Sequence, residues 1–170
     1  MSVRAQVAAH ANDLVEYATR KAFALAGAAP ARLIAQKPIS QVIASGAPFT
    51  PIIGWSEIVD TASSFDPVTG TFTVPADGFY QVSAALLTLG VSANNNVFLA
   101  VLLNGAPQLQ GVTQVPPLGG TAANLGVAVN GLVRASKNDL ITLGFTQFSG
   151  SPITTFAAGV DNYFTIAQLP

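Results

Sequence analysis

The sequence predicts a mainly β domain, built as a two-sheet sandwich or barrel and preceded by an N-terminal helical arm. Three observations carry this prediction. From Trp55 onward, apolar and polar residues alternate along short segments, as they do in half-buried strands. Turn residues separate these segments, and no helical pattern intervenes. The first 26 residues follow a helical period instead, so we divide the chain into an arm and linker, residues 1–40, and a β domain, residues 41–170.

The arm is predicted to be helical from Ser2 to about Ala26. Its apolar residues recur at steps of three and four and are mostly alanine, which favours a helix. Gly27 and Pro30 end it. A narrow alanine-rich stripe is marginal alone in water, so we expect the arm to pack on a partner or on its own copies; an exposed tail is the alternative. The residues expected to make the attachment are Leu14, Val15, Arg20, Lys21, Leu25 and Arg32.

A proline-rich connector, residues 30–51, is predicted between the arm and the later strands, and Ile39, Val42 and Ile43 are expected to form a first short strand in it. Asn104-Gly105 lies between two apolar runs, which is typical of a tight hairpin because both residues tolerate positive φ. The further strands are predicted at Trp55–Val59, Gly70–Val74, Gly78–Leu89, Val97–Leu103, Leu109–Val112, Ala123–Val133, Leu140–Phe145, Thr154–Ala158 and Tyr163–Leu169.

Charged residues are scarce and unevenly distributed. The 170 residues include 7 basic and 8 acidic ones, or 9 % of the chain, against about 25 % in ordinary domains. Residues 1–40 hold five basic and two acidic residues, a net charge of +3, and residues 41–170 hold two and six, a net charge of −4. Such a domain is expected where neighbours cover much of the surface; simple replacement of charge by uncharged polar residues is the alternative. The lack of a basic stripe excludes a general nucleic-acid binder.

The composition also excludes several kinds of site chemistry. Cysteine is absent, which removes disulfide scaffolds, thiolate zinc sites and cysteine nucleophiles. The single histidine, His10, lies in the arm. Four aspartates in predicted turns are interpreted as turn residues that bond their own backbone rather than as calcium ligands: Asp66, Asp77, Asp139 and Asp161. We therefore expect no catalytic site, no cofactor and no metal.

The amino-acid sequence also lacks the patterns typical of membrane spans and secretory signals. No run of about 20 apolar residues is present, so no transmembrane helix and no membrane partner are expected. The first residues lack the charged and apolar regions of a secretory signal. We expect synthesis in a cytoplasm; a transit peptide is the alternative.

One segment, residues 65–82, resembles a known family. It follows the spacing G-x-F-x-x-P-x-x-G-x-Y, which is similar to the globular head of the q subcomponent of the first complement component, a branch of the tumour necrosis factor-like jelly rolls. Weaker matches follow at residues 133–143, where Asn138 stands in place of the usual glycine, and at residues 162–169. The matching residues of the first segment are Gly70, Phe72, Pro75, Gly78 and Tyr80.

The resemblance covers about residues 50–169 and implies an antiparallel jelly roll of about ten strands in two sheets, assembled as a homotrimer around an apolar axis. That assembly would account for the scarcity of charge. The five matching residues themselves are interpreted as core and turn residues. Phe72 and Tyr80 point inward, and Gly78 is expected at a tight corner with positive φ.

The function expected is that of a non-enzymatic structural protein of a virion, most simply a bacteriophage. The family's animal members are secreted, often with a collagen stalk and cysteines, and this chain has neither feature. A trimer that decorates a capsid, or forms a head fibre or tail spike module, would attach through its arm to a capsid or tail protein, after synthesis in the host cytoplasm. The alternative is a recognition module whose loops bind a host receptor or glycan; a spore or surface-layer protein is a third.

Overall fold

The structure is a computed structural model, and it describes residues 30–46, 48–92, 95–114, 123–157 and 161–169. The predicted helix at Ser2–Ala26 lies outside these residues. The chain divides after Pro30 into two units, and the second unit, Ala31–Pro170, is the one described below. Within the described residues, no helix has the length and apolarity needed to cross a membrane.

The described residues form thirteen strands and no α-helix. The strands are β1 (Arg32–Gln36), β2 (Val42–Ile43), β3 (Thr50–Pro51), β4 (Ser56–Asp60), β5 (Phe65–Asp66), β6 (Thr71–Thr73), β7 (Gly78–Val91), β8 (Asn96–Leu103), β9 (Ala106–Gln114), β10 (Ala123–Ala135), β11 (Leu140–Gln147), β12 (Ile153–Thr155) and β13 (Tyr163–Gln168).

The strands lie in two antiparallel sheets, as predicted. In the seven-stranded sheet, β10 pairs with one side of β7, while β13 and β12 lie end to end along its other side. Beyond them come β1 and β4 next to β13, and β2 next to β12. In the six-stranded sheet, β8 lies between β9 and β11, and β11 pairs on its other side with β3 and β6, followed by β5.

The core lies between the sheets and follows from the alternation read in the sequence. Along β7, Tyr80, Val82, Ala84 and Leu86 are buried and the residues between them are partly or fully exposed. Successive side chains of a strand point to opposite faces, so one face of each sheet supplies the core. Aromatic rings pack at its centre, with the centroids of Trp55 and Phe164 5.8 Å apart.

The two sheets approach most closely where β9 faces β10. A Cβ on Gly111 would lie 1.8 Å from the carbonyl oxygen of Ala128, and one on Gly131 would lie 2.9 Å from Leu109. Glycine within a strand marks close approach of another backbone. These two glycines therefore close the sandwich at this edge.

The predicted hairpin at Asn104-Gly105 is confirmed. It joins β8 to β9, and the two residues have φ of +51° and +82°. Asn138, in the place where the family pattern has glycine, also has a positive φ, +72°. Asparagine tolerates this left-handed region better than most residues.

The prediction for Gly78 is wrong. Gly78 begins β7 and is absent from the positive-φ residues, and a Cβ there would meet Gln168 at an ordinary 3.5 Å. The constrained glycine of the motif is Gly70, with φ of +69°. Gly78 is the first residue of β7 and already pairs with Ala135 of β10, so its backbone is extended there.

Residues 31–40 also differ from expectation. The sequence assigned them to the arm and linker, but Arg32–Gln36 form β1, which pairs with β13 on one side and β4 on the other. Leu33 and Ala35 are buried in the core. Pro30 and Pro38 lie just outside the two ends of this strand, and proline restricts the residue before it. A five-residue alternation between two prolines is too short to be distinguished from a linker in the sequence. The two-residue strands β3 and β5 are likewise too short to show a period.

Candidate functional site

The motif that carries the family resemblance is structural in this protein. Phe72 and Tyr80 are fully buried with their ring centroids 6.2 Å apart. The Tyr80 hydroxyl donates a hydrogen bond of 2.6 Å to the carbonyl of Ala76, and burial raises the pKa of Tyr80. Gly70 lies under Trp55, and Pro75 is half-buried beside the core. Core and turn roles therefore account for the motif without a ligand.

Asp66 and Asp139 bond the backbone of their own turns, as the sequence indicated, whereas Asp77 bonds the backbone of a turn that is distant in the chain. Asp66 accepts hydrogen bonds from the Thr69 hydroxyl and the Val68 amide, which lower its pKa. Asp139 accepts from the Asn104 side chain and the Ser136 amide, which likewise lower its pKa. Asp77 accepts from the Lys137 amide at 2.6 Å. These carboxylates order turns.

The fourth aspartate, Asp161, is exposed beside a pocket of about 380 Å³ that Ala85, Leu87, Gly126 and Ala128 also line. Its neighbour Asn162 is fully buried, where it accepts a hydrogen bond of 2.6 Å from the Leu87 amide and donates to the carbonyl of Phe156. In the described part of the chain, no three histidine, cysteine or acidic side chains come together as a metal cluster would.

The broadest candidate surface is the outer side of the seven-stranded sheet, which we call the uncharged face. It consists of the outward positions of β1, β13, β7 and β10. The register aligns Ile34 with Thr165, Thr165 with Ser83, and Ser83 with Asn130. Arg32 and Arg134 are the only charged residues in these four strands, so the face is unusual for a water-exposed sheet.

The uncharged face exposes large apolar side chains. Phe79 is 53 % exposed, Leu132 51 %, Ile34 42 % and Leu169, just after β13, 39 %. The residues between them are small or uncharged: Gln81 and Ala167 lie in the row of Leu132, and Thr165 and Ser83 lie in the row of Ile34. A surface with several large exposed apolar side chains and so few charges resembles the interior of a protein–protein interface, which is depleted of charge.

The attachment residues expected in the arm are not brought together in the described structure. Leu14, Val15, Arg20, Lys21 and Leu25 lie outside the described residues. Arg32 belongs to β1, with its backbone amide bonded to Thr61 at 2.9 Å, and its side chain is on the uncharged face. Arg32 is therefore part of the sheet and not of a separate arm.

The sequence alone did not identify which residues form the uncharged face. The signal was present in the scarcity of charge and in the uncharged outward positions of the long strands. It could not be resolved without the register, because a shift of one residue exchanges the inner and outer faces of a strand.

Comparison with known proteins supports the fold. No family model matches the chain. A curated relative, the uncharacterized protein YqcC of Bacillus subtilis (strain 168), is 30 % identical over 122 residues, which is 66 % of this chain and 32 % of the relative. The chain thus spans about a third of the length of this relative.

Among solved structures, the chain is similar to the Eiger TNF of S. frugiperda (TM-score 0.65, 13 % identity, 83 % of this chain and 94 % of that one). It is also similar to murine APRIL (TM-score 0.60, 11 % identity, 82 % and 99 %) and to the globular domain of zebrafish complement 1qA protein (TM-score 0.55, 15 % identity, 83 % and 98 %). The fold is therefore the tumour necrosis factor-like jelly roll expected from the sequence motif.

Proposed function

We propose that this protein is a non-enzymatic module that self-associates through its uncharged face, most simply as a homotrimer. The observation that carries the proposal is the combination of exposed Phe79, Leu132 and Ile34 with only two charged residues in the four strands of that face. The interior of an oligomeric interface is depleted of charge and rich in apolar and aromatic groups. Closed rings of identical subunits bury such faces without leaving an open contact.

The experiment is a comparison of two matched leucine substitutions by light scattering. Leu132→Glu places a charge on the uncharged face, whereas Leu140→Glu places the same charge on β11 of the other sheet, where the leucine is 42 % exposed. We expect trimers for the full chain and for Leu140→Glu, and a shift toward monomers for Leu132→Glu. A monomeric full chain at micromolar concentration, or equal behaviour of the two variants, would contradict the proposal.

We further propose that the module decorates the surface of a particle, in the first place a bacteriophage virion, and attaches there through the arm. Three observations support this proposal: residues 1–40 have a net charge of +3, the β domain has few charged residues, and the relative comes from a bacterium. Co-sedimentation with purified particles from the source culture tests it. Full-length protein should sediment with particles and lose this association as salt rises, because exposed charge pairs are screened within about 8–10 Å at physiological ionic strength.

A recognition module is the second candidate, with loops that bind a host receptor or glycan. Phe148 and Phe156, which follow β11 and β12, are 56 % and 38 % exposed and favour it, because exposed aromatic rings are common in recognition surfaces. A glycan array probed with the full-length protein tests this candidate. Binding that disappears in Phe148→Ser or Phe156→Ser would favour it over a purely structural role.

A further inference from the structure

A buried lysine next to β1 has no role in the jelly-roll frame or in the uncharged face. The side chain of Lys37 is completely closed to solvent, which is rare for lysine. Its amine donates a hydrogen bond to the carbonyl of Ile53. An ammonium group has three donors, and within the described residues no carboxylate pairs with this one. Burial lowers the pKa of Lys37 to about 8.

Lys37 forms one wall of an open pocket of about 470 Å³, a volume typical of small-ligand sites. The rest of the lining is mostly apolar. Three of its members are large hydrophobic side chains left open to solvent: Val68 is 74 % exposed, Ile39 56 % and Ile53 45 %. The described residues that line the pocket are Lys37, Pro38, Ile39, Ser40, Gln41, Ile53, Gly54, Trp55, Pro67 and Val68.

The pocket is held in shape by hydrogen bonds on both sides. The Gln41 side chain donates to the carbonyl of Pro51 at 2.9 Å and accepts from the amide of Ile53 at 3.1 Å. On the opposite side, the Trp55 amide donates to the carbonyl of Pro67 at 2.9 Å. These bonds tie residues 51–55 to the two segments that flank them, so the apolar wall of the pocket is preformed.

Gly54 brings the lysine and the apolar wall together. It has φ of +72°, and a Cβ there would lie 2.4 Å from the tip of Ile39 and 3.9 Å from the amine of Lys37. The tip of Ile39 and the amine of Lys37 therefore both lie beside Gly54, which has no side chain. A cation at the base of an apolar pocket is complementary to a ligand with an anionic head and a hydrocarbon body.

We propose that this pocket binds a medium-chain carboxylic acid when the exposed side chain of Ile39 turns away from the Lys37 amine, with the carboxylate on that amine and the hydrocarbon chain against Ile39, Ile53 and Val68. A buried charge without a paired ion is costly, and a carboxylate would complete the donors of the amine with a charge-assisted hydrogen bond. The tail would cover the exposed apolar wall. The site does not depend on self-association, since none of its lining residues belongs to β7, β10 or β13.

The single tryptophan of the chain makes the test direct, because Trp55 lies in the pocket wall. The probe is octanoate, titrated into full-length protein at pH 7 while tryptophan fluorescence is recorded, with 1-octanol as the uncharged comparison. Lys37→Met removes the amine and retains a long side chain. Lys137→Met, at an exposed lysine in the turn between β10 and β11, is the matched control.

We expect saturable binding of octanoate to the wild type and to Lys137→Met, and at least a tenfold weaker affinity in Lys37→Met. Octanol should bind the wild type at least tenfold more weakly than octanoate does. Equal affinity of octanoate for both variants, equal affinity of the acid and the alcohol for the wild type, or no binding at millimolar octanoate would each overturn the proposal.

The wild type alone provides a second test, which holds even if Lys37→Met fails to fold. Octanoate affinity should fall by at least tenfold between pH 7 and pH 9.5 as the amine loses its proton, whereas octanol affinity should stay constant. Among the lining residues that the structure describes, Lys37 is the only titratable one, and the carboxylate of Asp66, next to Pro67 in the chain, is engaged by Val68 and Thr69. A pH-independent octanoate affinity would overturn the proposal.

Discussion

At the scale of single residues, two glycines show how the local environment determines whether a side chain can be accommodated. Gly70 and Gly78 belong to the same sequence motif, yet only Gly70 needs to be glycine. A Cβ on Gly70 would lie 2.2 Å from the carbonyl oxygen of Ile52 and 2.9 Å from the indole nitrogen of Trp55. That indole already donates to the Ile52 carbonyl at 2.8 Å, so neither atom can move freely.

We therefore expect Gly70→Ala to destabilise the domain and Gly78→Ala to be tolerated. The left-handed conformation alone costs a residue with a Cβ about 1–2 kcal/mol, and the collision with Ile52 adds to that cost. Gly78 has ordinary φ and room for a methyl group. Thermal unfolding of both variants checks this. Melting temperatures that fall equally in the two variants would show that the difference in environment is unimportant.

Lys37 makes stability depend on pH in the alkaline range. Burial lowers its pKa from 10.5 to about 8, so the unfolded chain binds more protons than the folded chain between these values. Stability should then rise with pH across that window. The full effect is at most about 3.5 kcal/mol, at about 1.4 kcal/mol for each pH unit between 8 and 10.5.

The measurement is denaturant unfolding of the wild type and Lys37→Met at pH 7, 8, 9 and 10. Wild-type stability should rise relative to the variant as pH increases, and the difference should be constant below pH 8. A difference that does not change with pH would mean that the amine keeps its ordinary pKa in the folded protein.

At the scale of elements, β1 decides where the folded domain begins. It supplies buried Leu33 and Ala35 and connects β13 to β4 through ladders on both sides. Losing it would remove the one strand that pairs with β4 among the described residues and would open the core at β13. The sequence placed these residues in a linker because a five-residue strand between two prolines shows too little periodicity.

Two truncations test this role of β1. A chain starting at Pro30 should keep the cooperative unfolding of the domain, whereas a chain starting at Gln41 should unfold or aggregate. Circular dichroism and thermal scans distinguish the two outcomes. If the shorter chain folds as well as the longer one, β1 is an accessory strand. The longer chain is also the correct one for testing whether the arm attaches the protein to a particle.

At the scale of the whole molecule, hydrogen bonds to aspartate carboxylates stabilise three of the described turns. Asp66, Asp77 and Asp139 use their carboxylates to accept backbone and side-chain hydrogen bonds. Turns closed in this way do not need calcium for order. We therefore expect the melting temperature to be unchanged by a chelator such as EDTA or by added calcium. A fall of several degrees with EDTA would point to Asp161, which lies beside the pocket on the uncharged face.

Much of the architecture follows from the sequence alone. The period of two from Trp55 onward and the Asn104-Gly105 turn indicated a β sandwich or barrel, because local alternation and turn chemistry are carried by neighbouring residues. The jelly-roll type was implied by the resemblance of the motif from Gly70 to Tyr80 to a known family. The scarcity of charge likewise indicated a covered surface. These features required no knowledge of which strands lie side by side.

The tertiary structure decided what depends on contacts between distant segments. Arg32–Gln36 form a strand of the sheet, and the glycine of the motif with a positive φ is Gly70 and not Gly78. Residues 37–41, 53–55 and 67–68 come together as the pocket around Lys37. In the sequence, Lys37 is an ordinary lysine between a glutamine and a proline. Its burial arises only when segments far apart in the chain pack together, and no local pattern records that.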